Sequence, residues 1–360
     1  MTDQLLASAA PVFKVDGQAR GELARDLVGL EIDETTRGLR TLVARLVGVG
    51  PHRGAAEELQ YLDGEIVDFG KQIEVTIGVP GEERNVFAGR VSALEVDFAD
   101  GGEPHVVVFA EDDLMKLRMT RRMRTYEQMS DADIAAAVAS EHGLNSDTDA
   151  DGPTYDRIQQ LNQSDLAFLR DRADQIQAEL WCEDGTLYFK SRANRTATSL
   201  TLVNGGDLES VRLRADLAHQ RSKVTVTGYD ADQRATIEEE FGGDAIQAEA
   251  TGGQTGPDVL ERALGERVSW RVRETPIIGE EAMYWARAEM LRRGRRFATA
   301  DGTTHGSPSM VVGSKLVLER VGAPFEGDGW YVTRVHHTYD LERGHRTHFY
   351  AERPTIGSGS

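Results

Sequence analysis

Three aspartates at alternate positions form a group of side chains with the chemistry to bind a metal ion. Asp147, Asp149 and Asp151 occupy the first, third and fifth places of a calcium-loop pattern, and Gly152 occupies the sixth. The twelfth place requires a bidentate glutamate, but this chain has Ile158 there. Because that last ligand is missing, the sequence favours a polar surface loop over a calcium site.

Four of the histidines lie close together near the C-terminus and are the next candidates for metal binding. His336 and His337 are neighbours on one expected strand, and His345 and His348 lie on the next segment. Adjacent strand residues point to opposite faces of a sheet, so the first two cannot chelate one ion together. A zinc site needs three or four converging ligands. The single Cys182 is distant in sequence and has the character of a small buried hydrophobe. We therefore expect no metal site.

Signatures of known enzyme classes are missing from the sequence. It contains no G-x-S-x-G, no H-E-x-x-H and no P-loop pattern. The glycine-rich segment 326–330 (EGDGW) precedes an expected strand, so it predicts a turn and not a phosphate cradle. A pair of catalytic carboxylates cannot be recognised without geometry. The sequence thus predicts that the protein is not an enzyme. It assigns no catalytic, cofactor-binding or metal-binding residue, and no cofactor.

Composition and charge exclude further classes of function. The 360 residues include 41 basic and 60 acidic side chains, which gives a formal net charge of −19. Such a balance argues against binding a nucleic-acid backbone or an anionic lipid surface, because both require a positive footprint. The main basic run, residues 291–297 (LRRGRRF), is expected to contact an acidic region of the same chain or of a partner.

The remaining bulk features concern where the protein folds. One cysteine excludes an internal disulfide framework. The first residues, MTDQLLASAAPVFKVDG, lack the basic and apolar regions of a signal peptide. No stretch approaches the roughly 18 apolar residues of a membrane span. We therefore expect a protein that folds in the cytoplasm, with no signal peptide and no membrane insertion.

Residues 164–189 (SDLAFLRDRADQIQAELWCEDGTLYF) combine a helix pattern with a hairpin pattern. Ser164 is a suitable N-cap. The apolar residues after it recur at spacings of three and four, which places them on one helix face: Leu166, Leu169, Ala173, Ile176 and Leu180. The acidic residues that fall off this face are expected to point to water: Asp171, Asp174 and Glu179. Apolar runs on both sides of Asp184-Gly185 predict a β-hairpin, because its central residues need positive φ.

Two other helices are indicated by the sequence. Ser130 and Asp133 can form a capping box at the start of one helix, and Gly143 can end it in the left-handed conformation. A second helix is expected near 281–293, with Met283, Ala286 and Met290 on its apolar face. The polar segments 145–156 and 242–258 are expected to be loops.

Strand patterns with a period near two fill most of the remaining sequence. We predict an α+β, mainly β fold with two barrel-like β domains and an intervening helix–hairpin segment. The expected parts are a first β domain at 1–118, an α+β segment at 119–210 and a second β domain at 211–355. The second β domain carries an inserted loop and helix at about 240–298, and residues 356–360 form a flexible tail.

Two blocks of the sequence resemble one family of proteins. Residues 160–189 (QLNQSDLAFLRDRADQIQAELWCEDGTLYF) look like the Q-x-x-x-S-D-x-x-F-L-x-x-x-A block and D-G-x-L-x-F hairpin of the phage late control D family. That family forms tail or baseplate hubs and is similar to the hub part of VgrG-type proteins. Residues 300–349 resemble its C-terminal block, with the matching residues Gly306, Pro308, Gly313, Gly322, Phe325, Gly327, Tyr331, Val332 and His337. Gly329-Trp330 is an insertion relative to that block.

The resemblance implies a structural role in the baseplate of a contractile tail or injection system. Such hubs are homotrimers whose two β domains per chain alternate around an axis. The resulting ring has pseudo-sixfold symmetry, adapts a sixfold inner tube to a threefold spike and forms part of the delivery channel. The implied partners are a spike protein, an inner tube or tube-initiator protein and baseplate wedge proteins, without direct nucleic-acid recognition. The acidic composition suggests a lumen wall that repels a passing cargo, although the sequence does not show which face carries the charge.

Several alternatives stay open at the level of sequence. The chain ends at Ser360 without a fused spike, which predicts a separate trimeric spike chain. A phage tail, a tailocin and an extracellular contractile injection particle all fit this arrangement. A cell-wall hydrolase at the tail tip is an alternative function suggested by the many acidic residues. A calcium-stabilised adhesin or carbohydrate-binding module is another, suggested by residues 147–152.

Overall fold

β-Strands form most of the regular structure of this chain. The computed structural model describes residues 10–50, 58–78, 83–271, 276 and 278–357. The expected α+β, mainly β class is confirmed, and within the described residues every sheet is open, with none closed into a barrel. In the same part of the chain, no helix is long and apolar enough to cross a membrane.

The first β region is built from strands with alternating burial. In one of them Leu42, Ala44 and Leu46 are buried while the residues between them are not, which is the period expected when one sheet face covers a core. The elements of this region are β1 (Val12–Val15), β2 (Gln18–Ala19), α1 (Gly21–Arg25), β3 (Leu27–Thr35), β4 (Thr41–Val47), β5 (Val49–Gly50), β6 (Glu58–Leu59), β7 (Gln72–Ile77), β8 (Arg84–Asp97) and β9 (His105–Glu111).

The α+β segment follows, and the sequence determines its helix ends locally. Its elements are α2 (Leu114–Met119), β10 (Arg121–Ser130), α3 (Asp131–Glu141), β11 (Asn145–Asp149), β12 (Thr154–Ser164), α4 (Asp165–Ile176), β13 (Ala178–Glu183) and β14 (Thr186–Ser191). The capping box of Ser130 with Asp133 and the N-cap at Ser164 are both confirmed. Asp184 and Gly185 have φ of 48° and 71°, as the predicted hairpin between β13 and β14 requires.

The second β region begins after a 3₁₀ turn at Arg192–Asn194. Its elements are β15 (Ser199–Val203), β16 (Leu208–Ala215), β17 (Lys223–Asp230), β18 (Ala235–Gly242), α5 (Asp244–Gln247), β19 (Gln254–Thr255), α6 (Gly256–Leu264), β20 (Val268–Arg271), α7 (Gly279–Gly294), β21 (Ala298–His305), β22 (Lys315–Glu319), β23 (Gly327–Asp340), β24 (Gly344–Arg353) and β25 (Thr355–Ile356).

One large sheet joins the two β regions. Its strand order includes an antiparallel run of eight strands, β16-β21-β24-β23-β3-β4-β9-β8, of which four come from each region. The two halves meet where β23 pairs with β3, from Arg334 opposite Thr35 to Asp340 opposite Gly29. Strands β7, β1 and β2 continue the sheet beyond β8.

Separate clusters of buried apolar side chains lie beneath these parts. One cluster belongs to the first β region and another to the strands of the second. A third lies between α3, α4 and the β13–β14 hairpin, where Leu169 and Phe189 are completely buried. A fourth packs β17 and β18 against α7. The two halves of the large sheet therefore each cover a core of their own.

Several details differ from the expectations based on sequence. Helix α4 ends at Ile176, because Gln177 adopts the left-handed conformation, so Leu180 is buried from strand β13. Glu179 is also buried, whereas the helical pattern placed it in water. Met283 is 41% exposed, and α7 instead buries Ala286 and Met290 with neighbours such as Trp285.

Two segments expected to be loops contain regular structure. Residues 145–156 contribute β11, which pairs in parallel with β14, and the start of β12. Residues 242–258 contain α5, β19 and the start of α6. In the expected flexible tail, Ile356 belongs to β25, which pairs with β19, while residues 358–360 lie outside the described residues. The polar and turn-forming residues of these segments predict loops, because the sequence of a segment does not show the distant strands that pair with it.

The α4 helix provides a matched test of its two faces. Leu169→Ala removes a fully buried side chain and should lower the free energy of unfolding by about 2–5 kcal/mol, because it leaves a cavity. Asp171→Asn lies on the exposed face and can keep its hydrogen bond with Gln163, so its effect should stay within about 0.5 kcal/mol. Denaturant unfolding measures both. A loss at Asp171 equal to that at Leu169 would contradict this view of the helix.

Candidate functional site

The three aspartates of the calcium-like pattern do not converge. Asp147 forms an ion pair with Lys190 at 2.6 Å, and Asp149 accepts a hydrogen bond from Asn194 at 2.8 Å. Asp151 is bonded to α7 through Tyr284 and Arg287. Across the described ranges, no three His, Cys, Asp or Glu side chains lie close enough to hold a metal ion. The side chains that resembled calcium ligands join neighbouring elements instead.

The four histidines form two pairs on opposite faces of the large sheet. His336 lies opposite His348, with ring centroids 6.0 Å apart, on the face that points away from the cores. His337 and His345 are buried on the other face, with Nδ1 and Nε2 3.1 Å apart. Burial lowers the pKa of His337 to about 3 and the pKa of His345 to about 4. The neighbouring His345 lowers the pKa of His337 further. Both buried rings are therefore neutral in the folded protein at neutral pH.

The basic run at the end of α7 makes contacts within the chain. Arg292 and Arg293 both pair with Glu289 on the same helix, and Arg295 pairs with Glu249 from the segment after α5. These contacts confirm that the run binds acidic side chains of the same chain. Cations at the C-terminal end of a helix also complement its dipole.

Cys182 shows no sign of reactivity. Its thiol is buried between the hairpin and α2, and burial, followed by the nearby Asp112 and Asp113, raises its pKa to about 12. A thiol that stays protonated is a poor nucleophile and a poor metal ligand. Cys182 therefore acts as part of the core.

The most unusual arrangement of charge is buried where the two β regions meet the α+β segment. Six side chains of alternating charge follow one another there, and we call them the arginine–glutamate chain: Arg40, Glu34, Arg195, Glu179, Arg192 and Glu352. Three positive and three negative groups balance each other. The members come from the first β region, the β13 strand, the 3₁₀ turn with the segment after it, and β24.

Arg195 is the central member of this chain. Its guanidinium donates to Glu34 at 2.9 Å and to Glu179 at 3.2 Å, so that it joins β3 to β13. The group also lies over the ring of Trp181, 4.1 Å from the centroid, and only 5% of the side chain is exposed. A planar guanidinium with five donors suits such a position, because it binds two carboxylates and stacks on an aromatic ring at once.

Arg192 makes the corresponding link to the second β region. It pairs with Glu352 of β24 at 2.6 Å and with Glu179 at 3.3 Å, and its guanidinium lies over the ring of Tyr331. Burial would lower the pKa of Arg192, but Glu352 and Glu179 outweigh it and raise that pKa. The hydroxyl of Tyr331 donates to Glu179 at 2.7 Å. Burial and the same carboxylate raise the pKa of Tyr331.

Arg40 is the terminal member of the arginine–glutamate chain on the side of the first β region. Its guanidinium donates to Glu34 at 2.7 Å, and its backbone amide donates to Asp112 at 2.8 Å. Burial opposes the charged form of Arg40, but Glu34 and Asp112 outweigh it and raise the pKa of this guanidinium. Asp112 also accepts from the amide of Leu114, yet its burial raises the pKa of the carboxyl to about 7.

The arginine–glutamate chain performs a mechanical task. A buried charge without partners is very costly, so each member must stay in register with its neighbours. An arginine that bonds two carboxylates and stacks on an aromatic ring also fixes the angles between these groups, whereas apolar contacts fix angles much less. The site therefore holds three parts of the chain in one fixed relative orientation.

Sequence reasoning missed this site. Glu179 was expected to face water, and Arg192 and Arg195 lie in a polar segment without a motif. The available signal was indirect: in strand β13, Glu179 and Trp181 share one face, so a strand assignment places the carboxylate beside a large ring.

The fold is that of tail proteins from phages and related systems. A 43 kDa tail protein of prophage MuSo2 from Shewanella oneidensis superimposes with a TM-score of 0.69 at 16% identity, over 96% of this chain and 98% of the other. A tail protein from Neisseria meningitidis MC58 gives 0.63 at 13% identity, over 96% of each chain. The E. coli c3393 protein, described as a component of the type VI secretion system, gives 0.57 at 12% identity, over 97% of this chain and 79% of that one.

The sequence itself identifies a family. Residues 49–340 match the family model described as the Alg8 N-terminal domain, so the chain belongs to that family. No curated protein sequence matches the chain significantly. The resemblance to the late control D family is separate from this match and stays a prediction from the two sequence blocks.

The arginine–glutamate chain leads to a prediction about stability. Arg195→Ala leaves Glu34 and Glu179 buried without their shared partner, and should lower the free energy of unfolding by about 3–5 kcal/mol. The control is Arg157→Ala, which breaks an exposed ion pair with Glu127 and should cost at most about 1 kcal/mol. Urea unfolding of both variants compares them. Equal losses of unfolding free energy in the two variants would show that the arginine–glutamate chain does not hold the two β regions and the α+β segment together.

The buried histidine pair predicts a loss of stability in acid. The pKa values of His337 and His345 lie below the ordinary value of about 6.5. The unfolded chain therefore binds protons that the folded protein excludes, and stability should fall as the pH drops from about 6.5 toward 4, by roughly 1.4 kcal/mol per pH unit for each histidine.

The variant His337→Gln/His345→Gln isolates this effect. Asp112 acts in the opposite sense, because its pKa of about 7 exceeds the ordinary value and its protonation favours the folded state as the pH falls. It is present in both proteins, so the difference between them reports the histidines. Thermal unfolding at pH 7 and pH 5 should show a smaller decrease for the variant. Equal decreases in both proteins would contradict the prediction.

Proposed function

We propose that this protein is the structural hub of the baseplate of a contractile tail or injection system. In this role, three copies form a ring that adapts a sixfold inner tube to a threefold spike. The observation that carries the proposal is the antiparallel run of eight strands, with four strands from each β region in one continuous sheet. The shared fold with phage tail proteins supports the same role.

The two halves of this run are alike in construction. Strands β16, β21, β24 and β23 form one half, and β3, β4, β9 and β8 form the other. Each half covers its own apolar cluster. Both clusters lie on the same face of the sheet, because Val335 of the second cluster and Tyr339, which packs against the first, are four residues apart on β23 and so share one face. Three chains with two such halves each give six similar units around an axis, which is the basis of pseudo-sixfold symmetry.

A ring of this kind needs a fixed angle between the two halves. The β23–β3 pairing and the arginine–glutamate chain both support that requirement, since each contains residues from the two β regions. Symmetric rings close through heterologous contacts, in which one surface of a subunit meets a different surface of the next. A rigid subunit keeps the rotation between neighbours constant, so that the ring closes.

The sheet face that points away from the cores is suited to a water-filled passage. Along β3 and β23 this face carries Glu31, Asp33, Arg334 and His336, all polar. In the proposed ring it forms part of the wall of the delivery channel. The protein acts by its geometry in this proposal and catalyses no reaction.

The proposed partners are the trimeric spike protein, the inner tube or its initiator and the baseplate wedge proteins. They follow from the resemblance to late control D and VgrG-type hubs, which is part of the proposal. A calcium-stabilised adhesin gains no support from the described residues, because the aspartates of residues 147–152 are engaged by Lys190, Asn194 and α7.

The proposal predicts a trimer in solution. Light scattering should give a particle mass three times the 39.6 kDa of the chain, and averaged electron micrographs should show six similar lobes around a central opening. The same measurement with the spike and tube proteins of the same system should give a larger complex. A chain that remains monomeric at every concentration, both alone and with those proteins, would contradict the proposal.

A further inference from the structure

The eight-stranded run has a free edge at each end. Strand β16 pairs with β21 on one side, and on its other side no strand of the described part pairs with it. Strand β8 pairs with β7 from Arg84 to Arg90, and the backbone of Val91 bonds to Gly70 and Lys71, so residues 93–97 pair with β9 alone. Among the described residues, each end of the run therefore presents unpaired main-chain donors and acceptors.

The two free edges carry opposite charges on the same sheet face. On β16, Arg212 and Arg214 point away from the core, while Val211 and Leu213 pack against the cluster of the second β region. On the free part of β8, Glu95 and Asp97 point away from the core, while Leu94 and Val96 pack against the first cluster. Within the described residues, Arg212 and Glu95 have no ion-pair partner, whereas Arg214 pairs with Asp216 and Asp97 with Arg45.

The chain already contains a boundary with this charge polarity. Where β23 of the second region pairs with β3 of the first, Arg334 binds Asp33 at 2.7 Å and His336 lies 3.7 Å from Glu31. A basic strand of the second region thus lies beside an acidic strand of the first. The free edges have the same polarity, with β16 basic and β8 acidic.

We propose that β16 of one copy pairs antiparallel with the free part of β8 in the next copy, with Arg212 opposite Asp97 and Arg214 opposite Glu95. This inference rests on the proposed ring and names its contact. The strand directions permit it: neighbours in the run alternate in direction, so the first and eighth strands run in opposite senses, and a second copy continues the alternation.

The opposite face of the sheet supports the same register independently. With Arg212 opposite Asp97, Leu213 lies opposite Val96 and Val211 lies opposite Phe98. Phe98 directly follows β8 and is 66% exposed in the single chain, so this pairing gives it an apolar partner. A slip by one residue would place arginines on the face of the apolar side chains. The two faces therefore exclude every slip by an odd number of residues, and a slip by two that brings Arg212 opposite Glu95 would place Arg214 opposite the uncharged Ala93.

Charged side chains on edge strands also serve to prevent unwanted pairing. Two edges of equal charge would repel each other, but here the charges are opposite, and cross-strand pairs of opposite charge stabilise a sheet. Because the edges lie at opposite ends of one run, a chain cannot satisfy them by itself. The contact is heterologous, and it closes only when the last copy returns to the first.

Charge reversal tests the contact. Arg212→Glu/Arg214→Glu and Glu95→Arg/Asp97→Arg should each raise the concentration needed for trimer formation at least tenfold at low salt. The combined fourfold variant should return to within about threefold of the wild type, because the attraction is restored with its sign exchanged. The matched control is Arg320→Glu/Arg343→Glu, which makes the same change in net charge at exposed residues outside the edges and should have no such effect.

Disulfide trapping tests the register. Arg212→Cys/Asp97→Cys should form intermolecular disulfides under mild oxidation, giving denatured species no larger than a trimer, while Arg212→Cys/Ala93→Cys should not. The native Cys182 is buried and leaves the background low. Cross-linking of the second pair but not the first would overturn the register. A wild-type trimer that is unaffected by charge reversal and cross-links with neither pair would overturn this contact and keep the ring. A wild-type chain that never assembles would overturn both.

Discussion

The position of Arg195 between Glu34 and Glu179 is the contact on which the arrangement of this protein depends. Two carboxylates from different parts of the chain approach each other in a buried place, and they can do so only because a guanidinium lies between them. The same logic extends on both sides, to Arg40 and to Arg192 with Glu352. Because removing one member leaves a buried charge uncompensated, the parts are joined as a unit rather than by independent contacts.

A charged junction differs from an apolar one in what it specifies. The free energy gained by burying apolar surface is non-directional and roughly proportional to the buried area, so two apolar surfaces in contact tolerate some rotation. Arginine binds carboxylates through a planar fork and stacks on rings, as Arg195 does on Trp181 and Arg192 on Tyr331. The proposed ring requires a defined angle between the two halves of each chain. The junction supplies that angle next to the β23–β3 pairing, where backbone hydrogen bonds set the position along the strands.

Local chemistry made part of the fold predictable from the sequence. The capping box at Ser130, the N-cap at Ser164 and the Asp184-Gly185 hairpin each depend on residues within a few positions, and all three were found. The mainly β class followed from a period of two. The burial of Glu179 was not predictable in this way, because it depends on Arg192 and Arg195 and on Tyr331 more than a hundred residues away. Likewise, the polar composition of β11 predicts a loop, but its parallel pairing with β14 makes this segment a strand.

The net charge of the chain also proves a poor guide to the charge of the proposed channel. On the face away from the cores, the acidic strand β3 is offset by Arg334 and His336, and the acidic edge of β8 by the arginines of β16. In the proposed ring of six halves, this arrangement would give alternating bands of opposite charge. Fields from such bands cancel over distances near the Debye length of about 8–10 Å. The surplus of acid lies elsewhere, for example in Glu238, Glu239 and Glu240 of strand β18. The net charge of −19 belongs to the whole chain and does not give the sign of the charge on this one sheet face.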